Sequence, residues 1–108
     1  MSVCKIERSG NKEWRVNGQR HREDGPAIEW SNGTTEWYQN GRLHRVDCPA
    51  IIWWNGDKAW YQNGMRHRLD GPAIEYANGN KRWFLNDTEY THDEFILLQF
   101  SKGKIINE

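Results

Sequence analysis

A chain of 108 residues with 15 basic and 15 acidic side chains carries no formal net charge, so it has no global field to attract a polyanion or imitate one, and DNA binding is disfavoured. The length suits one domain, 1–108, without volume for a thick core; the low apolar fraction of 36% is offset by 13% aromatic residues, unlike a disordered chain. No apolar run reaches the roughly 18 residues of a membrane span, and Cys4 and Cys48, with no signal-peptide pattern, make no disulfide framework, so a reduced, cytoplasmic protein is expected.

Rows of 23 residues align several columns at once, and about three and a half copies of one unit span residues 5–87. The first copy is the weakest, with Ser9-Gly10 as its turn and Trp14 in its second strand, and is expected to cap the array. Further along, Trp30, Trp53 and Tyr76 share one column, and Trp14, Trp37, Trp60 and Trp83 share another. One Asn-Gly series runs Asn32-Gly33, Asn55-Gly56 and Asn78-Gly79. The other runs Asn17-Gly18, Asn40-Gly41 and Asn63-Gly64, with Asn86-Asp87 a degenerate fourth copy.

Each unit reads as a β-hairpin around Asn-Gly, for example 27–30, the turn at Asn32-Gly33, then 35–39. A two-residue loop there predicts Ile28 opposite Trp37 and Trp30 opposite Thr35 on one face. It sets Ala27 opposite Tyr38 and Glu29 opposite Glu36 on the other. The same register pairs Ile51 with Trp60 and Ile74 with Trp83, an Ile/Trp ladder that is the expected core.

Between hairpins runs a connector, His-Arg-x-Asp-Gly-Pro-Ala: His21 to Ala27, His44 to Ala50 with Cys48 in place of Gly, and His67 to Ala73. Gly is expected to supply unusual backbone angles, and Pro to start a strand where no ladder N–H is required. Cys48 marks one connector that does not need positive φ. After the last hairpin, Thr91-His92-Asp93-Glu94 forms a capping box before Phe95, Ile96, Leu97, Leu98 and Phe100. This predicts a helix over 91–102, ending near Gly103, that covers the open end of the sheet.

A 23-residue unit with Trp-x-x-Asn-Gly-x-x-His at its second strand resembles the MORN (membrane occupation and recognition nexus) repeat over residues 5–87. It departs from that motif at the connector, as in His67 to Ala73, where the common form has His-Gly-x-Gly, so lipid binding transfers poorly. The variant looks more like small proteins of bacteriophages and other large DNA viruses. The resemblance implies an all-β fold, an elongated single-layer antiparallel sheet of successive hairpins, here with a short C-terminal capping helix. It implies an interaction surface and no reaction.

His-Arg-x-Asp recurs in every unit, which favours a network within the connector over acid/base or metal chemistry, since those need one asymmetric pocket. Neither cysteine has metal-ligand spacing and no phosphate loop or nucleophile motif is present, so no catalytic residue, metal or cofactor is expected. The irregular middle copy is more informative. It places Ile52 where Glu29 and Glu75 stand, and Trp54 where Ser31 and Ala77 stand. With Tyr61 these are expected to share one apolar face, and Tyr38 and Phe84 extend the partner-facing set.

Arg22, Arg45 and Arg68, with Arg42 and Arg66, are expected along one edge, either as a solvated guard against aggregation or as an anion site. The function expected is a non-enzymatic protein-binding module. With the viral resemblance it becomes a phage accessory protein that binds and inhibits a host defence protein. A second copy of the chain is another possible occupant of the patch. The alternative function is a binder of a small anion or lipid, a nucleotide signal or a phosphoinositide, on the Arg edge.

Overall fold

Two different turns, both built on Asn-Gly, organise residues 3–101, the residues described by the computed structural model. In the series at Asn17, Asn40, Asn63 and Asn86, both central residues are left-handed; Asn40 and Gly41, for example, have φ of 51° and 82°. This is the two-residue type I′ turn. In the series at Asn32, Asn55 and Asn78 only the Gly is left-handed. There the Gly33 N–H donates to Trp30 O at 2.9 Å and the Trp30 N–H to Thr34 O at 2.8 Å, closing a three-residue loop. The Asn32 side chain accepts from the Thr34 N–H at 2.9 Å, which holds Asn-Gly in this alternative form.

The longer loop shifts the expected register by one residue. Ile28 lies opposite Glu36, not Trp37, and Glu29 lies opposite Thr35, not Glu36. Trp30 lies beside Thr34, and the supposed pairs Ala27–Tyr38, Ile51–Trp60 and Ile74–Trp83 are likewise replaced: Ile51 faces Ala59 and Ile74 faces Arg82. A slip of one residue exchanges the faces of a strand, so the single Ile/Trp ladder does not form.

The strands are β1 (Val3–Ile6), β2 (Lys12–Val16), β3 (Gln19–Arg20), β4 (Ile28–Glu29), β5 (Thr35–Glu36), β6 (Tyr38–Gln39) and β7 (Arg42–Leu43). They continue as β8 (Ile51–Ile52), β9 (Lys58–Ala59), β10 (Tyr61–Gln62), β11 (Met65–Arg66), β12 (Ile74–Glu75), β13 (Lys81–Leu85) and β14 (Thr88–Tyr90), followed by helix α1 (His92–Ser101). An antiparallel sheet runs β1-β2-β4-β5-β8-β9-β12-β13-β14, with β3 beside β2. Small hairpins β6-β7 and β10-β11 branch from it. The result is an elongated all-β array, with extents of 53 × 31 × 20 Å, closed by one C-terminal helix.

The branch point is the Trp column. Trp37 donates its N–H to Ala50 O in the long sheet and accepts from the His44 N–H in its own small hairpin; Trp14 and Trp60 do the same with Ala27 and His21, and with Ala73 and His67. Ala27, Ala50 and Ala73, whose carbonyls receive the Trp N–H groups, are 0% exposed. Ile28, Ile51, Ile74, Ala59, Trp60 and Phe84 are also buried. Successive loop tips are tied together: Asn11 Oδ1, Thr34 Oγ1 and Asp57 Oδ1 accept from the N–H groups of Ser31, Trp54 and Ala77.

The capping box forms as expected, Glu94 N–H donating to Thr91 Oγ1 at 3.1 Å and Thr91 N–H to Glu94 Oε1 at 2.8 Å. Phe95 is buried, and His92 stacks on Trp83 with ring centroids 4.6 Å apart. The helix thereby covers the last Trp of the column. Lys102 and Gly103, included in the expected helix end, lie outside the described residues.

Candidate functional site

The connectors are held by a cation stacked on an aromatic ring. The guanidinium carbons of Arg22, Arg45 and Arg68 lie 3.8, 3.8 and 3.9 Å from the ring centroids of Trp14, Trp37 and Trp60. Such stacks are favoured for Arg, whose flat, weakly hydrated head covers an apolar ring while keeping its donors free. Arg22 donates to Asp24, Pro26 O and Glu29; Arg68 donates to Asp70, Pro72 O and Glu75. Gly25 and Gly71 are absent from the left-handed region, which corrects the reading of these glycines as sources of unusual backbone angles. They leave room for the arginine: a Cβ would lie 2.8 Å from Arg22 Cζ or 2.9 Å from Arg68 Cζ, so a side chain there would make the end of the arginine shift, as the middle connector accommodates with Cys48 beside the stacked Arg45.

The connector histidines join neighbouring units. Nδ1 of His21, His44 and His67 accepts from the N–H of Asn40, Asn63 and Asn86 at 3.0, 3.0 and 2.9 Å. A ring nitrogen that accepts carries no proton, so the proton of the neutral ring resides on Nε2. The Nδ1 bond is the same in all three, which accounts for their recurrence through the fold; only His21 adds a contact from Nε2, to the Glu23 carboxylate.

The residues expected to meet a partner separate. Trp54 is 68% exposed at a loop tip. Ile52 is half-buried and stands in a cross-strand row with Thr35 and Lys58. Glu29 and Glu75 occupy its place in the adjacent copies and bond to the stacked arginines, so Ile52 lies on the Arg-covered face. Tyr61 does not share that face: it belongs to a small hairpin and packs on the core of Ile51, Ala59 and Trp60. This follows from the register shift.

Phe84 is 2% exposed and is removed from the surface set. Arg66 and Arg82 lie over its ring at 4.2 and 5.2 Å. Tyr38 is half-buried, and its hydroxyl donates to Glu36 at 2.8 Å. Burial pushes the phenol up to about 12, with the Glu36 bond adding to the rise. Burial also raises Tyr61.

The arginines form two series, not one edge. Arg22, Arg45 and Arg68 lie on the Trp column, whereas Arg42 and Arg66 lie on β7 and β11 of the small hairpins. Arg66 is paired with Asp87 at 2.6 Å, and Arg42 is exposed.

The x position of the connector, given no role from sequence, adds exposed apolar surface: Val46 and Leu69 are 65% and 61% exposed where the first connector has Glu23. They border a shallow groove of about 390 Å³ that includes Asp47, Trp60 and His67. Writing the column Glu23, Val46, Leu69 would have revealed it. Among the described residues no helix is long and apolar enough to cross a membrane. Comparisons of the chain with protein-family models, curated proteins and solved structures return no match.

Proposed function

We propose that the chain is a non-enzymatic binding module whose middle connector, the strand after it and the loop tip at Trp54 dock a partner protein. The observation that carries this reading is Trp54, 68% exposed on an array whose other copies have Ser31 and Ala77 there. The hairpin closes through Trp53 and Gly56, and Trp54 is tied to the neighbouring loop tip by its backbone N–H, which donates to Thr34 Oγ1. Ile52 and Val46 add apolar surface nearby in sequence, again at places filled by carboxylates in the first copy. Large aromatic side chains that folding does not require are the usual anchors of protein interfaces.

The resemblance to phage and large-DNA-virus proteins makes a host protein the partner class, with inhibition of that protein the expected consequence. Binding of a small anion through the connector arginines is the weaker reading, because Arg22 and Arg68 each already hold two carboxylates. A tagged pull-down from bacterial lysate, quantified by mass spectrometry, tests the proposal. One stoichiometric protein that disappears with an Ile52→Glu/Trp54→Glu variant is expected. Recovery of the bait alone would overturn it.

A further inference from the structure

The three connector arginines divide two against one. Arg22 and Arg68 each bind a carboxylate from their own connector, Asp24 or Asp70, and one from the following strand, Glu29 or Glu75. Arg45 keeps its stack on Trp37 and its bond to Pro49 O at 3.1 Å, but has no carboxylate partner among the described residues. Both acids have been displaced. Ile52 occupies the place of Glu29 and Glu75, and Asp47, left-handed with φ of 64°, forms no ion pair with Arg45. Cys48 introduces a Cβ where the other two connectors leave room for the guanidinium. Lys58, the cross-strand partner of Ile52, is also without an ion pair among the described residues.

We infer that Arg45 is a built position for a carboxylate side chain supplied by the partner protein, entering where the neighbouring arginines receive Glu29 and Glu75. This rests on the proposal that the face binds a protein and names the chemistry it recognises. The stack on Trp37 fixes the guanidinium before binding, so little side-chain entropy is lost when the acid arrives. A planar fork with unused donors suits a carboxylate, which it can hold through two hydrogen bonds. Ile52 provides an apolar floor beside it. Asp47 stands one residue beyond Val46 and disfavours a doubly charged phosphate more than a singly charged carboxylate. The occupant is therefore an acidic residue of a partner segment with an apolar neighbour, the latter contacting Ile52 and Trp54.

The test is selection of a displayed random peptide library on the full chain, followed by affinity measurement with the enriched peptides. An Asp or Glu beside an apolar residue is the expected common feature. Ile52→Glu supplies the missing carboxylate internally, as in the adjacent copies, and should weaken the peptides about tenfold or more. Ile52→Gln, which removes the apolar floor without filling the charge, should weaken them less. Peptides lost with Trp54→Ser but indifferent to Ile52→Glu would overturn the Arg45 site while leaving the docking surface intact. Peptides lacking a shared acid, or displaced by inorganic phosphate irrespective of sequence, would also overturn it. No enrichment over the Ile52→Glu/Trp54→Ser variant would overturn both proposals.

Discussion

The middle connector and its flanking copies perform the same structural task with different chemistry. In the outer two, a guanidinium is pressed between a Trp ring and a Gly that has no side chain, and two carboxylates satisfy its donors. In the middle one the ring remains, the Gly is Cys48 and both carboxylates are withdrawn. The difference shows which contact the array requires. The cation–aromatic stack is kept in all three, and the ion pairs are dispensable.

The largest expected effect comes from removing a ring. Trp60 is 8% exposed beneath Arg68, so Trp60→Ala should lower unfolding free energy by about 3–5 kcal/mol. Arg68 would keep Asp70, Glu75 and Pro72 O. In Trp37→Ala, by contrast, Arg45 would retain only Pro49 O among these partners and lose its fixed position. Urea unfolding of the two variants measures the first point. A loss under about 1 kcal/mol at Trp60 would contradict the core assigned to it.

The glycines sharpen the comparison. Gly71 has a backbone that any residue adopts, so Gly71→Ala tests space and not φ. The new Cβ, 2.9 Å from Arg68 Cζ, should push the end of that side chain aside and destabilise by about 1 kcal/mol. Cys48→Gly should be near neutral, within about 0.5 kcal/mol, because the middle connector has already adjusted. Equal losses at both positions, read from urea midpoints, would break the distinction.

These two regions also show what could be read before folding. The 23-residue period, the hairpins and the capping box are local signals, and each is present. Register was not legible, because Asn-Gly serves a two-residue loop at Asn40 and a three-residue loop at Asn32, and the dipeptide alone does not state the loop length. That one residue sends Tyr61 to the core instead of beside Ile52. The role of Gly25 was hidden because it depends on an Arg folding back from three positions earlier. His92 on Trp83 was hidden because the two meet only after the helix has docked. The oddity of Ile52 and Trp54 was visible in the columns, whereas the carboxylates missing around Arg45 required the bonding partners of its neighbours.

A smaller effect is expected from the histidines, where the middle copy should match the others. His21→Ala, His44→Ala and His67→Ala each remove one acceptor from a turn N–H and should destabilise by about 1 kcal/mol apiece. Thermal unfolding of the three variants checks this, with any excess at His21 ascribed to its additional Glu23 contact. A loss at His44 or His67 far exceeding the other would point to a role beyond joining units.

The smallest effect is the most direct on the contrast itself. Ile52→Glu gives the middle connector the ion pair of its neighbours, at a place where the corresponding Glu29 and Glu75 side chains are 37% and 33% exposed. Solvent weakens such a pair, so the gain should be only about 0.5 kcal/mol, and a double-mutant cycle with Arg45→Gln should give a coupling of about 0.2–1 kcal/mol. The sign carries the argument. If the consensus Glu stabilises the chain, the native Ile52 is a residue that folding alone would not choose, which is the signature of a site kept open for something else. If Ile52→Glu destabilises the chain with no coupling to Arg45, the middle strand packs in its own way, and Ile52 is explained by the fold.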